Sequence, residues 1–455
     1  MAHFDVAVIG LGALGSGAAY YSALKGAKVI GFEQFELGHV HGASHDTSRI
    51  VRTSYDSPEY VALAKTSYKD WADVERAAGH KLLHQTGGLI FVPKNGQVQI
   101  DDYTRSLGRN QVPYELLSSE EVRRRWPQFR PPHGTDAVYT PDTGMVHASR
   151  SVAAMQNLAR NSGAVLKEYT RVESIKPQRS QGGRRVEIVT SQGRFYASKV
   201  IVAADAWTNK LLEPLGVSIP LRVSQEQVTY YKPSQPGEFG DDKFPVWIYF
   251  GAKAFYGFPT FGEPTIKAAR DEAQNYMTPE RRSYVHSQPL LDELTSFMDA
   301  MVPDSGRQTL RTVTCQYTVT PDRQFVISPL RNHPDVIVLL GAAHGFKFAP
   351  TFGRVAAELA LDGETVENIT TFGIPEAGAS FSESSVGIRF VADDMILTAT
   401  AVNGLLISLA IIEHVPMMGR VAVLVAVCGP IDRLWVRILT HRAEFVPSSS
   451  AVSIS

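Results

Sequence analysis

The chain has little cysteine: Cys315 and Cys428 are its two thiols in 455 residues. No disulfide framework is therefore expected, and the count suits a reducing, cytoplasmic compartment. Neither thiol belongs to a CxxC or a Cys/His cluster, so no metal site of that kind is expected. Excess charge is also missing, since 45 basic residues face 46 acidic ones for a net charge of −1. Without a basic surplus there is no electrostatic footprint for nucleic acid. Long apolar runs are scarce. Residues 395–412 carry no charge but include Thr398, Thr400, Asn403, Gly404 and Ser408. As a helix this run is barely long enough to span a bilayer, and its polar groups penalise insertion. A packed pair of apolar helices or an unstructured tail is the blander expectation. No signal peptide is expected ahead of the first strand, which starts near residue 4.

What the chain does have begins at Phe4-Asp-Val-Ala-Val-Ile-Gly10-Leu-Gly12-Ala-Leu-Gly15. Val6 to Ile9 form an apolar run expected of a buried parallel strand. Gly10 suits a tight turn, Gly12 the close approach of backbone to a pyrophosphate, and Gly15 close packing of the next helix on the sheet. A helix from about Ala13 to Lys25 would aim its N-terminal amides at the phosphates, with Gly26 ending it. Lys28 to Glu33 follows as a strand, leaving Glu33 to accept from ribose hydroxyls. The unit reads as dinucleotide-binding, and the pattern alone leaves NAD and FAD both open.

The length predicts two intertwined domains rather than one core. Apolar spacing predicts helices over 58–71, 118–126, 149–162 and 352–361. Strands are expected at 87–92, 165–169, 172–176, 185–190, 199–203 and 335–341, and aromatic, alternating segments over 221–267 suit an antiparallel sheet.

Four further places could carry chemistry. In Ser44-His45-Asp46-Thr47-Ser48-Arg49-Ile50-Val51-Arg52, two arginines three positions apart suit a bidentate anion contact or a solvated basic turn. In Gly341-Ala-Ala-His344-Gly345-Phe346-Lys347-Phe348, a strand ends in a glycine turn, placing His344 and Lys347 at the sheet edge where α/β proteins bind ligands. Cys315 lies on a strand, where a thiol is usually an inert core residue; only a thiolate of lowered pKa and with access would react. Lys267, also on a strand, would ordinarily face solvent.

Taken together, these motifs resemble the monomeric sarcosine oxidase and N-methyltryptophan oxidase family over about residues 4–374. The carriers are GLGALG with Glu33, SHDTSRIVR, TGGLIFVP, YGFPTFG, Lys267, CQYTVTPDRQFVI and GAAHGFKFAP. The resemblance implies an α/β plus α+β fold, with a Rossmann-like FAD domain of the glutathione-reductase type and a discontinuous antiparallel-sheet substrate domain. The FAD domain would comprise 1–85, 150–215 and 320–375, and the substrate domain 86–149 and 216–319. An atypical tail would follow at 376–455.

The same resemblance implies FAD, bonded covalently through Cys315, with Gly345 and Phe346 at the cofactor. It implies that Arg52 and Lys347 clamp a substrate carboxylate, that Tyr317 and His344 line the substrate cavity, and that Lys267, with Arg49 and His45, serves catalysis beside the flavin. The expected partners are a small amino-acid substrate and O2, and the expected state is a monomer. The implied reaction is C–N oxidation of a secondary amino acid, N-methyl or cyclic, to an imine. Hydrogen peroxide would be released, with formaldehyde from N-methyl substrates. A flavin dehydrogenase using another acceptor, or a non-catalytic flavin-binding homologue, is the alternative.

Three departures stand out. Asp205 replaces a small residue in Ala204-Asp205-Ala206-Trp207. Asp271 or Arg270 occupies the place of a family histidine beyond Lys267. The segment from Pro245 to Phe250 also differs from a small-substrate pocket.

Overall fold

The computed structural model describes residues 3–180, 183–306, 308–376, 378–381, 397–402, 405–411, 421–426 and 435–440. The first strand, β1 (His3–Ile9), is buried on both faces from Val6 to Ile9. It pairs in parallel with β2 (Val29–Phe32) on one side and with the strand Gly193–Val202 on the other. His333–Leu340 extends this parallel centre, with Ile201 opposite Ile337. Val165–Lys167 joins beyond β2, and an antiparallel flap of Val172–Ser180 and Gly183–Thr190 completes most of an eight-stranded sheet.

Between β1 and β2 runs the helix α1 (Ala13–Leu24). Its small residues allow near backbone contact with the helix Ala349–Leu361. A Cβ on Gly17 would lie 2.6 Å from Ala349 O, and one on Gly353 would lie 2.3 Å from Gly17 C. Gly17 and Gly353 are therefore fixed by the close packing of the two helices.

The second layer is a nine-stranded sheet built from 88–140, 222–277 and 309–319. It is antiparallel except where Val246–Phe250 runs parallel to Gly88–Pro93. Arg222–Tyr231 lies at its heart, pairing with Thr309–Val319 so that Glu226 opposes Cys315. A three-stranded piece, Ser48–Val51 with Gly144–His147 and Leu83–Gln85, carries the arginine motif.

The helix read at 58–71 extends over Pro58–Ala78, because good helix formers continue to Gly79, which closes it at φ +73. The helices Ile100–Arg109 and Gln288–Met301 had no sequence expectation.

Residues 389–455 form a separate unit. Its described stretches are antiparallel strands, Leu397–Val402, Leu405–Ile411, Val421–Ala426 and Trp435–Thr440. The described part of 395–412 is thus a strand pair, which corrects the helical reading of that run. β-Branched and aliphatic residues there suit a pleated strand as well as a helix. No described helix is long and apolar enough to cross a membrane. Cys428 lies outside the described residues.

Candidate active site

A cavity of about 680 Å³ lies where the ends of the parallel strands meet the nine-stranded sheet. That volume is within the range of a cofactor or substrate site. At one end is the glycine loop. Gly10 adopts φ +90, and a Cβ there would sit 2.4 Å from Ala203 O; on Gly15 it would sit 1.8 Å from Gly10 O. Leu11 N–H donates to Glu33 Oε2 at 3.0 Å and Phe35 N–H to Oε1 at 3.2 Å, with His39 Nε2 3.4 Å away. Burial alone would raise the Glu33 carboxyl, but His39 and these amides hold it below its usual range. Gly12 and Glu33 line the cavity, whereas Gly15 packs behind the loop.

Buried polar atoms without partners border the same space: His45 Nε2, Tyr55 Oη, Arg282 Nε and Gln316 Oε1. A glycine cradle with an acid at the end of β2 and unsatisfied polar atoms beyond it fits a dinucleotide.

The other end is charged. Arg49 donates to Ser48 O at 2.9 Å and Ala43 O at 3.0 Å, and its guanidinium lies over the Phe346 ring. Burial disfavours its charge most, but Asp46, 3.8 Å away, together with Cys315, Tyr256 and Tyr317, outweighs this and raises its pKa. Burial and then Arg49 push the His45 imidazole down to about 3, so it is neutral.

Lys267 Nζ donates to Asp46 Oδ2 at 2.9 Å and to Ser48 O at 2.8 Å. Burial lowers its pKa to about 8, against the pull of Asp46. Asp46 reaches it from a backbone at φ +89, and Lys267 with Arg49 holds that carboxyl well below its usual range although burial opposes this. Lys267 does not line the cavity; Asp46, Tyr256 and Phe258 do so near it.

Lys347 is placed differently. Its carbonyl is held by Ser67 Oγ at 2.6 Å and Trp71 Nε1 at 2.8 Å, which fixes the turn. Its Nζ donates to His344 O at 2.6 Å, and among the described residues no carboxylate lies within ion-pair distance of it. Burial and then Arg52 push its ammonium well below the ordinary value. Arg52 donates to Ser54 O and lies 4.0 Å over the Tyr55 ring, again without an ion pair. His344 Nε2 is 3.0 Å from Arg323 O, and burial with Lys347 keeps it neutral.

Cys315, Tyr317, His344, Gly345 and Phe346 all line the cavity with Arg49, Arg52 and Lys347. Burial pushes the Cys315 thiol up to about 11, against the pull of Arg49. Of the two residues in question beyond Lys267, Asp271 lines the cavity, whereas Arg270 pairs with Glu293. Asp205 also lines it at φ +46, with Gln316 Nε2 3.4 Å from its carboxylate; aspartate tolerates this left-handed backbone. Ile248 and Phe250 of the divergent segment add apolar wall.

Asp46, Arg282 and Arg323 were not singled out from sequence. Asp46 lay inside the quoted arginine motif, flanked by His45 and Arg49, and that acid among cations was the available signal. Arg282 joins loop 40–42 to the Cys315 strand by donating to Val40 O at 3.1 Å and to Thr314, a link with no local signature.

A family profile described as FAD dependent oxidoreductase (DAO) matches residues 5–359. The chain is 31% identical over 379 residues to a monomeric sarcosine oxidase of Bacillus sp. (strain B-0618), covering 82% of this chain and 96% of that one. It is 28% identical over 375 residues to an N-methyl-L-tryptophan oxidase of Yersinia pestis (strain Pestoides F), covering 82% and 98%. Among solved structures, NikD in its open form, described as an unusual amino acid oxidase essential for nikkomycin biosynthesis, matches with a TM-score of 0.73. The identity is 26%, covering 83% of this chain and 98% of that one. The chain belongs to the family of FAD dependent oxidoreductases, on the branch where its sarcosine oxidase-like relatives lie.

Proposed function

We propose that the protein is an FAD-dependent oxidase of secondary amino acids, N-methyl or cyclic, that forms an imine and hydrogen peroxide. The observation that carries this is the buried Lys347 ammonium with the half-buried Arg52 guanidinium, neither with an ion-pair partner among the described residues, in the cavity that also holds the glycine loop. A buried ammonium without a counter-charge is costly, and a substrate carboxylate supplies one. Gly10, Gly12 and Glu33 would hold the dinucleotide, and Cys315 would bond to the ring system, with Gly345 and Phe346 beside it. When bound, FAD accepts two electrons from the substrate and passes them to O2.

The chain's own residues do the rest. Lys347 and Arg52 orient the carboxylate, so that alignment entropy is offset by binding. Tyr317, Tyr256 and Phe258 exclude water. Lys267 keeps a positive charge near Asp46 and Arg49, where it favours the developing negative charge of reduced oxygen.

Oxygen uptake by flavin-loaded protein with sarcosine, other N-methyl amino acids and pipecolate tests the reading. Turnover of at least one is expected, and silence across the panel would sink it. The covalent link has its own test. Wild-type colour should stay with acid-precipitated protein, and Cys315→Ser should release it to the supernatant. Colour retained in the variant would remove the assignment.

A further inference from the structure

The strand Gly193–Val202 runs out beside the glycine loop, and an acid follows it there. A Cβ on Gly10 would lie 3.3 Å from Ala204 Cα, so Asp205 is the next residue beyond a backbone packed against that loop. Asp205 opens a short 3-10 turn at φ +46, a left-handed backbone that few non-glycine residues adopt. Its carboxylate faces the strand Thr309–Val319, where Gln316 Nε2 lies 3.4 Å from Oδ2. The side chain is half-buried and lines the cavity together with Gln316 and Thr318.

Two observations bear on the proton of this acid. Gln316 Oε1 and Thr318 Oγ1 are buried, can both accept, and have no hydrogen-bond partner. The O–H of a carboxylic acid is the donor that an ionised carboxylate withholds. Among the described residues, moreover, Asp205 makes no ion pair. Burial raises its carboxyl, and the dipoles of Thr318, Gln316 and the Ala206 amide offset this only in part.

The charged neighbours along this stretch are engaged elsewhere. Glu33 is tied to His39 and two amides, and Lys210, on the helix Thr208–Leu212, to Glu280. Arg282 donates to the carbonyls of 40–42 and to Thr314, and His41 Nδ1 lies 2.7 Å from the Tyr284 hydroxyl. On the strand facing Asp205, burial raises both the Cys315 thiol and the Tyr317 phenol, leaving both neutral.

The glycine loop and the N-terminus of α1 set the dinucleotide's pyrophosphate, an anion, next to this turn. A carboxylate there would repel it, whereas the neutral acid does not and can donate to an oxygen. We infer that Asp205 carries a proton whenever the dinucleotide is bound, so that loading FAD takes up a proton and the site releases its cofactor more readily as pH rises. This rests on the proposed placing of the dinucleotide at Gly10, Gly12 and Glu33.

The test is calorimetric titration of FAD into flavin-free Cys315→Ser protein, which keeps binding reversible, in buffers of differing ionisation enthalpy. Heats that differ between buffers should report proton uptake between about pH 6 and 8, with affinity falling by up to about tenfold per pH unit. Asp205→Asn, uncharged at every pH, should bind without uptake and with an affinity that pH leaves nearly unchanged. Asp205→Gly, which suits the left-handed backbone, should do the same. Absence of uptake in the parent protein would overturn the inference while FAD binding itself stands. Uptake that persists in Asp205→Asn would overturn it too, moving the proton to His39 or His41. FAD that binds at no pH would end the cofactor reading and the inference together.

Discussion

Two buried lysines, Lys347 lining the cavity and Lys267 behind Asp46 at its wall, differ in where their counter-charge comes from. Lys267 is 3% exposed and has Asp46 at 2.9 Å, so its charge is balanced within the protein. Lys347 is 8% exposed and is met by a carbonyl oxygen and by the field of nearby arginines, which Asp271 only partly offsets and with which it makes no ion pair among the described residues. Residue type and burial are nearly the same, so neither separates the two. The difference teaches that a balanced buried charge is part of the scaffold, while an unbalanced one reserves a place for a ligand.

The comparison breaks first on stability. Lys267→Met leaves Asp46 buried with only Arg49 at 3.8 Å and the Tyr230 hydroxyl nearby. Such a loss should cost about 3–5 kcal/mol. Lys347→Met removes an unbalanced charge and should raise the melting temperature of the ligand-free protein. Thermal unfolding of both variants checks this, and shifts of the same sign would erase the distinction.

Binding is the next place to press. Lys347→Met should weaken a carboxylate ligand by about 2–5 kcal/mol, as for truncating one partner of a buried charged contact. Titration with an amino acid and with its decarboxylated amine reads the difference. Equal losses for the two would show that Lys347 does not hold the carboxylate.

A buried acid sharpens the contrast with the smallest effect. Glu226, opposite Cys315, accepts from Ala273 N–H at 2.8 Å, yet burial pushes its carboxyl up to about 7. A folded-state pKa above the unfolded one means stability is full at low pH and declines as pH rises through about 7. Glu226→Gln should therefore gain on the wild type between about pH 5 and 8, at roughly 1.4 kcal/mol per unit of pKa difference. A pH-independent difference between their melting temperatures would contradict the linkage.

The parts of this molecule written as local backbone rules were legible in sequence. Gly10, Gly12 and Gly15 announce a loop because each spacing answers a steric need, and the strands beside them are unbroken apolar runs. The helix Gln288–Met301 had a readable signal in the spacing of Leu294, Met298 and Met301, its buried face. The site's residues were named through motif resemblance, but their pairing was not legible. Asp46 and Lys267 are separated by 221 positions, and nothing local to either announces the contact. The choice between Arg270 and Asp271 likewise depended on which side of a strand end faced the cavity. The run at 395–412 misled because aliphatic composition without charge does not distinguish helix from strand.

The central claim is that the counter-charge of Lys347 arrives with the substrate. Its most direct test is anaerobic mixing of flavin-loaded wild-type protein with pipecolate and, separately, with piperidine, which is the same ring without the carboxylate. The account predicts that pipecolate bleaches the flavin absorbance and that piperidine at the same concentration leaves it oxidised. Equal bleaching by both would contradict it.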